Sequence, residues 1–179
     1  MTIGNLAHEA LRTATAECHR RVDQIYSAAR LSDRLAYGNF LCAQAAACLP
    51  LEASLERAGV AGVVEDWPER VRGPLILADL AELEIEKPAL VEAPAMTSAP
   101  AMLGALYVLE GSRLGAKLLK RSVHANFPAA FLAGKPSVSW RSFLARLDQD
   151  LGTPERRTEA IDAARRVFSV FVESGRRFL

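Results

Sequence analysis

Three glycines on one side of a single predicted helix constrain this chain more than any other feature. Gly104, Gly111 and Gly115 recur at spacings of seven and four residues within a largely apolar segment. On a helix that advances about 100° per residue, they fall within an arc of roughly 40°. Each costs a helix interior about 1 kcal/mol relative to alanine, so the stripe needs a reason. Two uses stay open at this point: the close approach of another helix, or a flat or bulky group pressed against bare backbone.

A second predicted amphipathic helix carries the other unusual residue, His19. Arg12, Thr15 and His19 are separated by three, four and seven residues, so they share one helix face. A lone histidine in such a place is most often a hydrogen-bonded surface or core residue. The face alone therefore does not identify a ligand.

The remaining histidines and the nearest cysteine are weaker ligand candidates. His8 lies eleven residues before His19, about 16 Å along a helix, and is interpreted as structural or solvated. His124 is expected to point away from the glycine face and receives the same interpretation. Cys18 is turned about 100° from His19 and is interpreted as a packed thiol.

Capping residues, prolines and glycines divide the chain into helices joined by short links, with no alternating strand pattern and no internal repeat. The predicted helices cover about 5–29, 33–57, 68–83 with a bend at 73–74, 98–125, 139–151 (or from Ser137) and 154–178. Pro50 predicts a kink or break in the second helix, and 86–98 reads as irregular. The sequence therefore predicts an all-α fold, a single-domain helical bundle spanning residues 1–179.

Composition narrows the class of protein and its compartment. A net charge of +1 with mixed signs argues against nucleic acid as the main partner. No apolar run is long enough to cross a bilayer, and neither a signal peptide nor a C-terminal membrane anchor is expected. Cys18, Cys42 and Cys48 form no CxxC or CxxCH motif, which disfavours a disulfide scaffold and covalent heme attachment. We expect a cytoplasmic protein.

Two motifs considered together resemble those of the heme oxygenase family. They are T-x-x-x-H at residues 15–19 and L-Y-V-x-E-G-S-x-L-G at residues 106–115. The chain looks most like the soluble bacterial members, including those that supply bilin to bacterial phytochromes. The resemblance implies that heme b is both cofactor and substrate, bound between a proximal histidine helix and a distal glycine helix. It also implies that O2 and external electrons open heme to biliverdin, carbon monoxide and ferrous iron.

The same resemblance implies roles for particular residues. His19 would be the axial ligand of the heme iron, with Gly111 and Gly115 forming the distal wall. Ser112 stands where animal members have an aspartate, and Ala116 replaces the second glycine of the usual pair. Protons would then be delivered through water and backbone groups, with Ser112 assisting. The implied catalytic residues are Gly111, Ser112 and Gly115.

Basic and hydroxyl side chains are expected near the heme propionates and the protein surface. Arg12 and Tyr107 match family positions that contact a propionate, and Arg141 is placed there by approximate alignment only. The alternatives are solvated surface charge for Arg12 and Arg141, which is the favoured interpretation of Arg141, and core packing for Tyr107. Electrons must come from a separate reductase or ferredoxin, since the chain has no flavin or nicotinamide fingerprint. Arg20 and Arg21 are the hypothesised docking residues for an acidic donor. A bacterial phytochrome is the implied acceptor of biliverdin.

The sequence also leaves alternative functions to consider. A heme carrier or sensor with this fold would keep the pocket and lack turnover. A di-iron carboxylate enzyme needs Glu-x-x-His motifs, and no histidine here follows a glutamate at that spacing. A thiaminase-like enzyme needs a nucleophilic cysteine with an acidic pocket, which is not recognisable. Phe168 and Phe171 could flank heme, but aromatic residues at helical spacing are more often core, so they are interpreted as core aromatics. Trp140 is interpreted as a helix-start anchor.

Overall fold

Helices account for all the regular structure in the part of the chain that the computed structural model describes, residues 6–134 and 139–179 without the side chain of Lys117. They are α1 (Leu6–Tyr26), α2 (Arg34–Arg57), α3 (Trp67–Arg70), α4 (Gly73–Glu82), α5 (Ala99–Lys120), α6 (Ala130–Ala133), α7 (Trp140–Asp150) and α8 (Pro154–Phe178), with a 3-10 turn at Val60–Gly62. The predicted starts at Asn5 and Ser137 lie outside the described residues.

Side-chain caps begin four of these helices close to where the sequence predicts. The side chains of Asp33, Ser98, Ser139 and Thr153 each accept a hydrogen bond from the backbone N–H three residues later. Such a cap is typically worth about 1 kcal/mol, because it satisfies a donor that the helix leaves unpaired. The capping residues therefore explain why the predicted starts of α2, α5, α7 and α8 are confirmed.

Three local expectations differ from the structure. α2 continues through Pro50, so of the predicted kink or break, the break is wrong. Proline leaves the carbonyl four residues earlier without its helical partner, and here the backbone N–H of Val91 donates to that Ala46 carbonyl at 3.0 Å. α5 ends at Lys120, before the predicted Ala125, and the short helix α6 has no counterpart in the prediction.

The C-terminal helix α8 is the centre of the packing. It contacts α1, α2 and α5, and its buried face includes the small residues Ala160, Ala163 and Ala164. A Cβ atom on Gly104 would overlap the Ala160 carbonyl, so the backbones of α5 and α8 touch there. Close helix packing is thus the explanation for Gly104. Since α1 and α5 both rest on α8, the space between them becomes a pocket.

Candidate active site

A pocket of about 790 Å³ lies between α1 and α5, with α8 as its floor. Its lining is His8, Arg12, Thr15, Ala16, His19, Val22, Asp23 and Tyr26 from α1, Phe40 and Gln44 from α2, Tyr107, Val108, Gly111, Ser112, Leu114, Gly115, Leu118 and Leu119 from α5, Trp140 from α7, and Phe168 and Phe171 from α8. A mostly apolar wall with a few polar groups is typical of sites for organic cofactors and ligands.

His19 projects into this pocket from α1 and has a defined hydrogen-bonding partner. Its side chain is 65% exposed, and Nδ1 lies 2.8 Å from Oδ2 of Asp23, one turn later. The His19 ring also meets Phe168 edge-on, with centroids 6.0 Å apart. A carboxylate that holds the proton on Nδ1 leaves Nε2 as a free lone pair, which is the arrangement of a metal-binding histidine.

Sequence reasoning missed Asp23, although a signal for it exists. A carboxylate four residues after a helical histidine falls on the same face and within reach of the imidazole. The motif T-x-x-x-H therefore extends in this chain to T-x-x-x-H-x-x-x-D at residues 15–23.

The glycine helix faces His19 with its bare backbone at two of the three glycines. A Cβ atom added at Gly115 would meet nothing within 4 Å, so that position borders open space. A Cβ atom at Gly111 would make ordinary contact with Cη2 of Trp140 at 3.6 Å. Gly104 is absent from the lining because α8 covers it. The glycine stripe thus serves both of the uses that the sequence leaves open. Gly104 allows close helix packing, and Gly111 and Gly115 leave space beside bare backbone.

Ser112, which lines the pocket, is tied to a buried arginine from another part of the chain. Nη1 of Arg72 donates to Ser112 Oγ at 2.8 Å, and that hydroxyl donates to the Leu109 carbonyl at 2.7 Å. Arg72 is buried and its guanidinium lies 3.9 Å from the centroid of the Phe131 ring. Burial lowers the pKa of Arg72 to about 10, so it is still charged at neutral pH. No local sequence signal links residues forty positions apart.

Arg12 and Tyr107, the two predicted propionate contacts, lie on opposite walls of the pocket and both belong to its lining. Arg12 is exposed and Tyr107 is half-buried. Burial raises the pKa of Tyr107, while a hydrogen bond with Thr15 and the charge of Arg12 act in the opposite direction. Thr15 in turn donates to the Leu11 carbonyl at 2.7 Å. The Thr15 bond to Leu11 lies within α1, and the influence of Thr15 and Arg12 on the pKa of Tyr107 acts from α1 on α5.

The structure brings aromatic residues into the lining that sequence reasoning assigned to other roles. His8 lies with its ring centroid 6.1 Å from that of Tyr107 and 6.2 Å from that of Trp140. Phe168 and Phe171 are nearly buried yet form the floor of the pocket. α7 begins at Trp140, as the interpretation of a helix-start anchor requires, and the sequence did not predict that His8 and Trp140 share the pocket lining.

Three other residues considered from the sequence lie away from the pocket. Arg141 is exposed on α7 and is not part of the lining. His124 is exposed beyond the end of α5, where its ring contacts Phe127. Cys18 is a half-buried free thiol outside the lining.

Comparison with known proteins identifies the family of this fold and pocket. No protein-family model matches the chain. A curated relative from Pseudomonas aeruginosa, the heme oxygenase PigA, is 31% identical over 172 residues, covering 89% of this chain and 87% of the relative. The chain belongs to the heme oxygenase family. The predicted resemblance is therefore confirmed.

Two further heme oxygenases support this membership. One from Xanthomonas campestris is 35% identical over 112 residues, which are 59% of this chain and 67% of that protein. The crystal structure of the NO- and CO-bound enzyme from Neisseria meningitidis superposes with a TM-score of 0.80 at 25% identity. It covers 96% of this chain and 91% of the matched one. The predicted all-α heme oxygenase fold is thereby confirmed.

Two kinds of feature are absent from the described residues. None of the helices described is both long and apolar enough to cross a membrane. Within the same residues, no group of three or more histidine, cysteine or acidic side chains could hold a metal ion. Among those side chains, the protein thus has no separate site where several of them could enclose a metal.

Proposed function

We propose that this heme-degrading enzyme binds heme in the α1–α5 pocket, with His19 as the proximal ligand and the Gly111–Gly115 segment over the distal face. The observation that supports this most is the opposition of one oriented imidazole to an uncovered helix backbone. The volume of the pocket lies within the range of about 300–1,000 Å³ found for small-molecule sites. Heme, the substrate, supplies the iron that reacts with O2.

His19 fits the proximal role through its hydrogen bond to Asp23. That bond sets the tautomer and the direction of the ring, so Nε2 is presented to the pocket. Asp23 also makes the imidazole a stronger electron-pair donor to a metal, because its carboxylate partly compensates positive charge on the ring. Phe168 restricts ring rotation by its edge contact. Asp23 and Phe168 thus position a side chain that is otherwise exposed.

The Gly111–Gly115 segment fits the role of the distal wall because its glycines have no side chains. Heme and O2 would both need that space. Glycine at 115 leaves open space, and any larger residue would occupy it. Arg72 donates to Ser112, whose own proton goes to the Leu109 carbonyl. In this arrangement Ser112 is held by Arg72 at the pocket wall. A serine held in this way orients water at the distal side and does not act as an acid itself.

The carboxylate groups of heme are assigned to Arg12 and Tyr107. Arg12 supplies charge at the open edge of the pocket, and the Tyr107 hydroxyl supplies a donor from the facing helix. Arg141 is outside the pocket, so we assign it no contact. The products we propose are biliverdin, carbon monoxide and ferrous iron.

Electrons are proposed to come from an external ferredoxin or reductase that docks at a basic groove on the protein surface. This groove, of about 430 Å³, lies between α1 and α8 and is bordered by Arg21, Arg176 and Arg177. Glu17 pairs with Arg20 and Glu173 pairs with Arg177. In the described part of the chain, Arg21 and Arg176 have no such carboxylate partner, which favours them over Arg20 as docking residues.

Two remaining proposals concern cellular context. All three cysteines are free thiols, which suits a reducing cytoplasm. Delivery of biliverdin to a bacterial phytochrome follows from the sequence resemblance to phytochrome-associated members.

A single-turnover experiment tests the proposed function. Purified protein with one equivalent of hemin is reduced in air by ascorbate with catalase present, then by a ferredoxin system. We expect the heme absorption to decay into that of biliverdin, with carbon monoxide trapped by added ferrous myoglobin. A heme band that forms and then persists with both reductants would assign the pocket to a carrier or sensor instead.

A further inference from the structure

His8 lines the pocket and has no role in the proposed function. It is half-exposed in the first two turns of α1, one turn before Arg12 on the same helix face. Its ring is placed between Tyr107 of α5 and Trp140 of α7, at the centroid distances given above, and meets Trp140 edge-on at 89°. The imidazole is therefore held in the pocket by two aromatic neighbours from different helices.

The end of the pocket near His8 is rich in hydrogen-bond donors and poor in negatively charged groups. Among the described lining residues, Arg12, Thr15, Tyr107 and the Trp140 indole supply the other polar groups there. Asp23 is the one carboxylate among the described lining residues, and it is bound to His19. It lies eleven residues beyond Arg12, which is about 16 Å along the helix axis. An anionic group at this end therefore meets donors and no opposing carboxylate.

We propose that His8 donates a hydrogen bond to a carboxylate of the bound tetrapyrrole, beside Arg12, and so acts as a second anchor for heme. This inference rests on the proposed function, because it assumes that heme occupies the pocket. An imidazole carries an N–H donor in its neutral form and two when protonated, so it can bind a carboxylate in either state. Tyr107 and Trp140 hold the ring before heme arrives, which reduces the entropy lost on binding.

Two iron porphyrins that differ only in whether their carboxylates are free or esterified distinguish carboxylate binding by His8 from simple packing. We would titrate the wild type, His8→Leu and His8→Gln with hemin and with hemin dimethyl ester, following the Soret band. His8→Leu keeps an apolar contact with Tyr107 and Trp140 but removes the donor. His124→Leu is the matched control, since His124 lies outside the lining.

His8→Leu is expected to weaken hemin binding about three- to tenfold, as for loss of a partly exposed hydrogen bond to a charged group. His8→Gln should lose less, because its amide still donates. The dimethyl ester should bind all variants equally, since its ester groups carry no charge.

Equal weakening of hemin and the diester in His8→Leu would overturn the proposal and indicate a packing role. Unchanged hemin binding would overturn it too. These outcomes are distinct from failure of the proposed function, in which the wild type shows no saturable Soret band or His19→Ala leaves the bound spectrum unchanged.

Discussion

At the scale of single residues, the His19–Asp23 pair shows how one helical turn orients an imidazole. Both side chains are about two-thirds exposed, at 65% and 66%. Exposed pairs of this kind contribute only about 0–1 kcal/mol to folding. The contact between Nδ1 and Oδ2 thus matters little for stability and much for the direction of Nε2. Ligand geometry can accordingly be changed here without unfolding the protein.

Replacing Asp23 by alanine should weaken heme binding while leaving the fold intact. The loss of an outer partner of a ligating histidine typically lowers metal affinity about 10- to 100-fold, and we expect the lower end at this exposed site. A hemin titration measures the affinity, and resonance Raman spectroscopy of the ferrous form measures the iron–histidine stretch, which should fall. Glu17→Ala, an exposed carboxylate paired with Arg20, is the control. Wild-type affinity together with an unchanged stretch would remove Asp23 from the site.

Replacing Arg12 by alanine should change which biliverdin isomers form. Arg12 carries a fixed positive charge at the pocket edge, so its loss lets the porphyrin rotate in its plane before ring opening. Chromatography of the products measures the isomer ratio, and Arg141→Ala serves as the control because Arg141 is outside the lining. The assigned role of Arg12 does not survive an unchanged isomer profile combined with unchanged hemin affinity.

At the scale of elements, α5 combines a packing end with a binding end. Gly104 lets α8 approach, and Gly115 leaves room for a ligand. Between them, buried Glu110 bridges Nη1 of Arg70 at 3.4 Å and Nε of Arg113 at 3.2 Å. Breaking such a buried network by removing one partner is strongly destabilising. The contact of Glu110 with Arg70 therefore ties α5 to α3.

Alanine substitutions should separate the two ends of α5 by the sign of their effect on stability. Gly104→Ala forces its Cβ against the Ala160 carbonyl and should lower the free energy of unfolding by about 1–3 kcal/mol. Gly115→Ala meets open space and should raise it by up to about 1 kcal/mol through helix propensity. Urea unfolding measures both. Gly115→Leu should fold yet lose hemin binding, because its side chain fills the pocket.

If Gly104→Ala proved neutral and Gly115→Ala destabilising, the assignment of the two ends would be wrong. The glycine stripe itself is readable from sequence, but its division is not. All three residues lie within the same arc of the helix, and only the position of α8 decides which one is covered.

At the scale of the whole molecule, capping residues, prolines and glycines predict the helices well and the pocket only in part. Caps such as Asp33 and Ser98 act within one turn, so they are visible in the sequence. The break expected at Pro50 failed because Val91, forty-one residues later, supplies the missing donor. The hydrogen bond from Arg72 to Ser112 likewise joins residues that are distant in the sequence and close only in the folded structure. Such contacts leave no periodic signal for sequence reasoning to find.

The surface between α1 and α8 should control the rate of electron delivery. Reversing Arg21 and Arg176 to glutamate removes the two groove arginines that have no carboxylate partner among the described residues, so docking of an acidic ferredoxin should slow about tenfold at low salt. Ferredoxin-dependent heme oxidation measured at two ionic strengths checks this, and the difference should shrink at high salt. Arg57→Glu, at the end of α2, is the control. A rate that does not respond to either reversal would place the donor elsewhere.

The most direct test of the account is a hemin titration of the wild type and of His19→Ala, with and without added imidazole. The account predicts one saturable Soret band per wild-type chain, with the spectrum of a histidine-ligated heme. His19→Ala should lose that spectrum, and free imidazole, diffusing into the vacated space beside Asp23, should restore it. A His19→Ala spectrum identical to that of the wild type would contradict the central assignment.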